Sequence, residues 1–134
     1  MQKIGILNSH IAKVLADLGH TDKICVGDCG LPVPVGTPKI DLALRLGEPK
    51  FIEVVKEMAK YMEIQKVYIA PETEKENPEQ WKALHEVFPE DAVEWVMLDS
   101  HEELKAWEKD CKAVIRTGEI TPYSNIILES GVIF

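Results

Sequence analysis

Basic residues, cysteines and long apolar runs are all scarce in this sequence, and each scarcity removes a class of function. Its 15 lysines and arginines face 23 acids, for a net charge of −8, and they are scattered rather than gathered into a stripe. Such a surface repels a phosphate backbone, so nucleic acid is not an expected partner. No stretch of 18 apolar residues occurs, and no signal-length apolar run follows the N-terminus, which points to the cytoplasm and away from a membrane. The three cysteines, Cys25, Cys29 and Cys111, have neither Cys-x-x-Cys nor zinc-knuckle spacing. They are expected to be free thiols, with Cys25 in the core. The Gly-x-x-x-x-Gly-Lys and Gly-x-Gly-x-x-Gly phosphate loops are missing, as is the Gly-x-Ser-x-Gly elbow, which argues against nucleotide binding and serine hydrolysis. No repeat, linker or low-complexity tract divides the chain. A single domain over residues 1–134 is expected, large enough to bury a core without disulfides or metal.

What is present alternates between two periodicities. Ile11, Val14, Leu15 and Leu18 make one apolar helix face after a cap at Asn8 or Ser9, and Gly19 is expected to end that helix in the left-handed conformation. Lys23 to Gly27 reads as a strand, and the Gly/Pro-rich stretch from Asp28 to Thr37 as a stiff loop. Ile40, Leu42 and Leu44 alternate like a half-buried strand, with a helical turn as the alternative. A helix is expected from Lys50 to Met62, a strand from Val67 to Ala70, then an acidic loop after Pro71. Asn77 and Pro78 open a helix that carries Trp81, Leu84, His85 and Phe88, with His85 read as a packing or surface residue. Val93 to Leu98 is a strand. Ser100 and Glu103 have capping-box spacing for a helix through Trp107, with His101 at its first position. Lys112 to Thr117 and Ile126 to Leu128 complete the strands, and the apolar terminus Val132 to Phe134 is expected in the core or in a subunit contact. The pattern predicts a three-layer α/β/α fold around a mainly parallel mixed sheet.

Polar groups beyond what folding requires gather in Gly19-His20-Thr21-Asp22, at Asp28 after the short Lys23 to Gly27 strand, at His101, and in Thr121-Pro122-Tyr123-Ser124-Asn125. In an α/β fold the crevice beyond the strand carboxyl ends binds ligands, which puts Asp28 at a favourable address. His20 reaches that crevice only if the fold or a neighbouring subunit brings it round. Beyond a helix C-terminus, partial negative charge favours the protonated imidazole. His20, Asp28 and His101 share no metal-binding spacing, so general acid/base work on a neutral polyol fits better, with tyrosine, serine and asparagine matching hydroxyls. The purely structural reading stays open beside it, with His20 capping carbonyls and Asp28 making an Asx turn.

Leu18-Gly19-His20-Thr21-Asp22, Asp28-Cys29-Gly30-Leu31-Pro32-Val33-Pro34, Ala113-Val114-Ile115-Arg116-Thr117-Gly118-Glu119 and Pro122-Tyr123-Ser124-Asn125-Ile126-Ile127-Leu128 resemble, in this order, the D-ribose pyranases of ribose-utilisation operons. These are sisters of the L-fucose mutarotases. Leu7-Asn8-Ser9, Ile40 to Leu44 and Ser130 to Phe134 extend the likeness over most of the chain, with about Glu72 to Asp99 the least similar part; Cys29 stands where alanine is expected. The resemblance implies interconversion of β-D-ribopyranose and β-D-ribofuranose without a cofactor or metal. It implies that His20 is the proton donor and that Asp28, His101, Tyr123, Ser124 and Asn125 bind the sugar. It also implies a ring-shaped oligomer, commonly a homodecamer, with sites between adjacent subunits. The alternatives are a fucose-type mutarotase and a non-catalytic sugar-binding subunit of a transport system.

Overall fold

The computed structural model describes residues 1–134. Six strands form one sheet: β1 (Lys23–Gly27), β2 (Lys39–Asp41), β3 (Ile64–Ile69), β4 (Glu94–Met97), β5 (Ala113–Arg116) and β6 (Ile126–Ser130), in the order β2-β5-β1-β6-β3-β4. The β2/β5, β1/β5 and β3/β4 pairs are parallel, whereas β6 runs antiparallel to both β1 and β3. The sheet is therefore mixed and mainly parallel, as the alternating pattern predicts. β1 lies between β5 and β6, and its Ile24, Cys25 and Val26 are fully buried.

Side chains that alternate along a strand feed opposite faces of a sheet. Ile24 and Val26 pack with Ile11 of α1 (Ser9–Asp17), Phe51, Val55 and Met58 of α2 (Phe51–Tyr61), and Leu84 of α4 (Pro78–Val87). Cys25 turns the other way, toward Leu104 of α5 (His101–Trp107) and Cys111 beyond the 3₁₀ turn Glu108–Asp110. Three layers result. Burying one aliphatic or aromatic side chain contributes roughly 1.5–3 kcal/mol, and two such clusters supply the core without a disulfide; all three cysteines are free.

Three expectations need correction, and one of two alternatives is narrowed. Gly19 does not take up the left-handed conformation: α1 stops because Leu18 turns extended to pack on the core, and the Gly19 N–H is bound by the Asp22 carboxylate at 2.8 Å. The positive φ falls instead on Thr21, at 68°. The acidic segment after β3 is helical, α3 (Pro71–Glu76), opened by Pro71 at its first turn. β2 ends at Asp41, and Leu44 is exposed. Of the two places expected for the apolar terminus, the core is not the one it takes, since Ile133 and Phe134 are exposed in the single copy.

Candidate active site

At the carboxyl end of β1 the backbone of Asp28 meets the first residue before β6. Asp28 N donates to Asn125 Oδ1 and Asn125 Nδ2 donates to Asp28 Oδ2, both at 3.0 Å. This reciprocal pair fixes both side chains. Gly27 makes it possible: a Cβ there would lie 2.7 Å from Asn125 Oδ1 and 2.3 Å from the Leu31 side chain. Asp28 Oδ1 also accepts from Gly30 N at 2.9 Å, the Asx turn of the structural reading. A carboxylate has lone pairs for both roles, so the turn does not remove Asp28 from the crevice.

His101 opens α5 behind the Ser100 cap and anchors its own N–H on Glu72 Oε2 at 2.9 Å. Its ring stands edge-on to Tyr123, with centroids 5.3 Å apart. Nδ1 is buried and has no hydrogen-bond partner in the protein. Burial pulls the imidazole below the ordinary histidine range, Lys105 adds to this, and Asp28, Glu72 and Glu102 only oppose it. Near neutral pH the ring is therefore uncharged and offers one donor and one acceptor. Tyr123 itself sits at φ 60°, and its carbonyl accepts from Thr73 Oγ1 at 2.9 Å. Asn77 Nδ2 holds the same loop by donating to Pro122 O at 2.8 Å and Ser124 Oγ at 3.2 Å. Ser124 is fully buried and its hydroxyl donates to Thr121 O. Within one copy it braces the loop and offers no exposed group of its own.

Asp28, His101, Tyr123 and Asn125 thus come together, while His20 does not join them within one chain. It lies before β1, where Thr21 N binds Ser130 O at the far end of β6. Five residues of β1 separate the two ends, roughly 15 Å at strand rise. His20 is exposed and lines a cavity of about 370 Å³ with Leu15, Leu18, Met62 and the terminal Val132 to Phe134. Its Nε2 is 3.0 Å from Gln65 Oε1. Gln65 Nε2 in turn donates to Glu129 Oε1 at 2.7 Å, and Glu129 Oε2 receives Tyr68 OH at 2.5 Å and Lys23 Nζ at 2.9 Å. Burial would raise the Glu129 carboxyl, but these donors outweigh it and bring it down to about 2.

Sequence reading missed this network; its one signal is an acid directly following the apolar run Ile126 to Leu128 of a central strand. Glu108 was missed as well. It is fully buried, both carboxylate oxygens lack partners, and burial with Asp28 nearby pushes it up to about 7 against the pull of Lys105. No three His, Cys, Asp or Glu side chains converge in a metal-holding group. His85 is a packing residue, stacked on Trp95 with centroids 4.0 Å apart.

Known proteins resemble this chain over its whole length. A protein named D-ribose pyranase from Lactobacillus johnsonii is 52% identical over 134 residues, covering 100% of both chains. The solved structure of Bacillus subtilis RbsD complexed with D-ribose is 54% identical, covers 100% of both chains and has a TM-score of 0.96. The fucose mutarotase of Streptococcus pneumoniae, in complex with L-fucose, shares the fold at a TM-score of 0.81 and 20% identity, over 96% of this chain and 95% of its own. With residues 1–133 matching the family's sequence profile, the chain belongs to the RbsD / FucU transport protein family.

Proposed function

We propose that this protein is a D-ribose pyranase, an isomerase that interconverts β-D-ribopyranose and β-D-ribofuranose by acid/base ring opening and closure, with residues 1–134 acting as one catalytic domain. The observation that carries the reading is the cluster of Asp28, Asn125, His101 and Tyr123 at the sheet edge, whose polar atoms match sugar hydroxyls. Full-length relatives named D-ribose pyranase, from Lactobacillus johnsonii and Bacillus subtilis, support the choice of ribose, as does the ribose complex of the Bacillus subtilis relative.

Ring opening needs a proton on the ring oxygen as its bond to C1 breaks, and loss of the proton from the anomeric hydroxyl. Closure through the C4 hydroxyl in place of C5 gives the furanose. No cofactor is required. Asp28 and Asn125 hold sugar hydroxyls, the uncharged His101 supplies a donor or acceptor through Nδ1, the Tyr123 ring walls the site, and Ser124 steadies the loop that carries Tyr123 and Asn125. His20 is the proton donor and arrives from a neighbouring copy, because within one copy it stands at the opposite end of β1. A homo-oligomer, a ring of ten subunits by the family resemblance, places one copy's His20 against the next copy's Asp28. The protein acts in the cytoplasm, in keeping with its three free thiols.

NMR exchange spectroscopy on ribose tests the function. The protein is expected to transfer magnetisation between pyranose and furanose signals, and His20→Ala to abolish the transfer while sugar binding persists. Exchange of fucose without ribose, or binding of ribose without exchange, would overturn the reading.

A further inference from the structure

Tautomers are fixed by the partners of a ring nitrogen, and for His20 the chain of partners ends on a fixed charge. Glu129 is held ionised by Tyr68 and Lys23 and can only accept, so the side of Gln65 that meets it at 2.7 Å must be the NH₂. Gln65 therefore turns its oxygen to His20, 3.0 Å from Nε2. An oxygen there demands a hydrogen on Nε2. Nδ1 is left as the nitrogen that gains and loses a proton.

We propose that Gln65 and Glu129 are positioning residues that set the tautomer of His20 and make Nδ1 the atom that exchanges protons with the sugar. The inference rests on His20 being the proton donor proposed above. In the opening step the Nδ1 proton goes to the ring oxygen as the C1–O bond breaks, the anomeric hydroxyl passes its proton to water, and neutral His20 keeps Nε2–H on Gln65. Closure returns the C4 hydroxyl proton to Nδ1, and the carbonyl oxygen takes one back from water. Proton count and charge balance over the cycle.

The network makes an inverting variant available. In Glu129→Gln the amide oxygen stays with its donors Tyr68 and Lys23, which puts the new NH₂ against Gln65. Gln65 must then offer its oxygen to residue 129 and its NH₂ to His20 Nε2, so His20 switches to the Nδ1–H form. The exchanged pair, Gln65→Glu with Glu129→Gln, again presents an oxygen to His20 and restores Nε2–H.

Two-bond proton–nitrogen correlation on ¹⁵N-labelled protein reads each ring nitrogen of His20 directly, without substrate. The expected result is Nε2–H in the unaltered protein, Nδ1–H in Glu129→Gln, and Nε2–H again in the exchanged pair. Ribose exchange should fall by about tenfold or more in Glu129→Gln at unchanged sugar affinity, and recover in the exchanged pair. Retention of Nε2–H in Glu129→Gln overturns the proposal, and so does a switched tautomer with undiminished exchange. Absence of ribose exchange in the unaltered protein counts against the pyranase reading instead, while the nitrogen signals still report on the positioning.

Discussion

Two buried glutamates show how partners decide what a carboxyl does. Glu129 has three donors and is held at about 2; Glu108 has none and rises to about 7. For Glu129 the folded value lies below the ordinary 4.5, so its contribution is complete above pH 4.5 and is lost as pH falls toward 2. Truncation by Glu129→Ala strands Lys23 and the Tyr68 hydroxyl and is expected to cost about 3–5 kcal/mol at pH 7, read from urea denaturation. Glu108 has the opposite sign. Between pH 4.5 and 7 the unfolded chain ionises while the folded chain keeps its proton, so stability falls as pH rises through that window. Glu108→Met fills the same volume without an unpaired carboxyl, and should stabilise the fold by roughly 1–3 kcal/mol at pH 8. That gain should shrink as pH is lowered to 4.5, and thermal melts at the two pH values check it. A gain independent of pH would place its origin in packing alone.

Among the elements, the α3 to α4 junction does the most for the site. Asn77 ends α3, caps α4 by accepting from Gln80 N, and uses its NH₂ to hold Pro122 O and Ser124 Oγ. Asn77→Ala is therefore expected to cost about 2–3 kcal/mol and to raise the KM for ribose, because the Tyr123 to Asn125 loop loses its stay. Calorimetry and exchange titrations read the two effects separately. The cap at Asn77 is legible in the sequence, since asparagine before proline is a helix start whatever surrounds it. The helix before it is not: Pro71 to Glu76 buries only Thr73, so it has no apolar stripe to reveal a period of 3.6. The same limit explains the site. Asp28, His101, Tyr123 and Asn125 are visible because each stands next to a strand or helix end, where function concentrates. Glu129 and Gln65 lie inside strands, where one-dimensional pattern does not say which charged residue faces a partner across the sheet.

For the whole molecule the decisive fact is that His20 and the cluster of Asp28, His101, Tyr123 and Asn125 occupy opposite ends of β1. The surface around His20 is apolar for a reason that one copy does not supply: Ile133 and Phe134 are fully exposed beside it, and Leu7, Leu44 and Leu46 stand out elsewhere. In the proposed homo-oligomer, contacts between copies would cover such residues. Sharing a site across such a contact has a consequence that no single-chain site can mimic. In the proposed shared site, His20→Ala and Asp28→Ala are each expected to abolish exchange alone while damaging different halves of it. In a co-assembled equal mixture, a site that draws His20 from one copy and Asp28 from the next is intact in about a quarter of random pairings. Mixed oligomers refolded together should thus regain about a quarter of the exchange rate, whereas the same variants mixed without subunit exchange should regain none. Deleting residues 132–134 should weaken assembly and remove that recovery, with light scattering reporting the mass. If the co-assembled mixture stays inactive, each copy must complete its own site, and the roughly 15 Å between the two ends of β1 would have to close by a rearrangement of the chain itself.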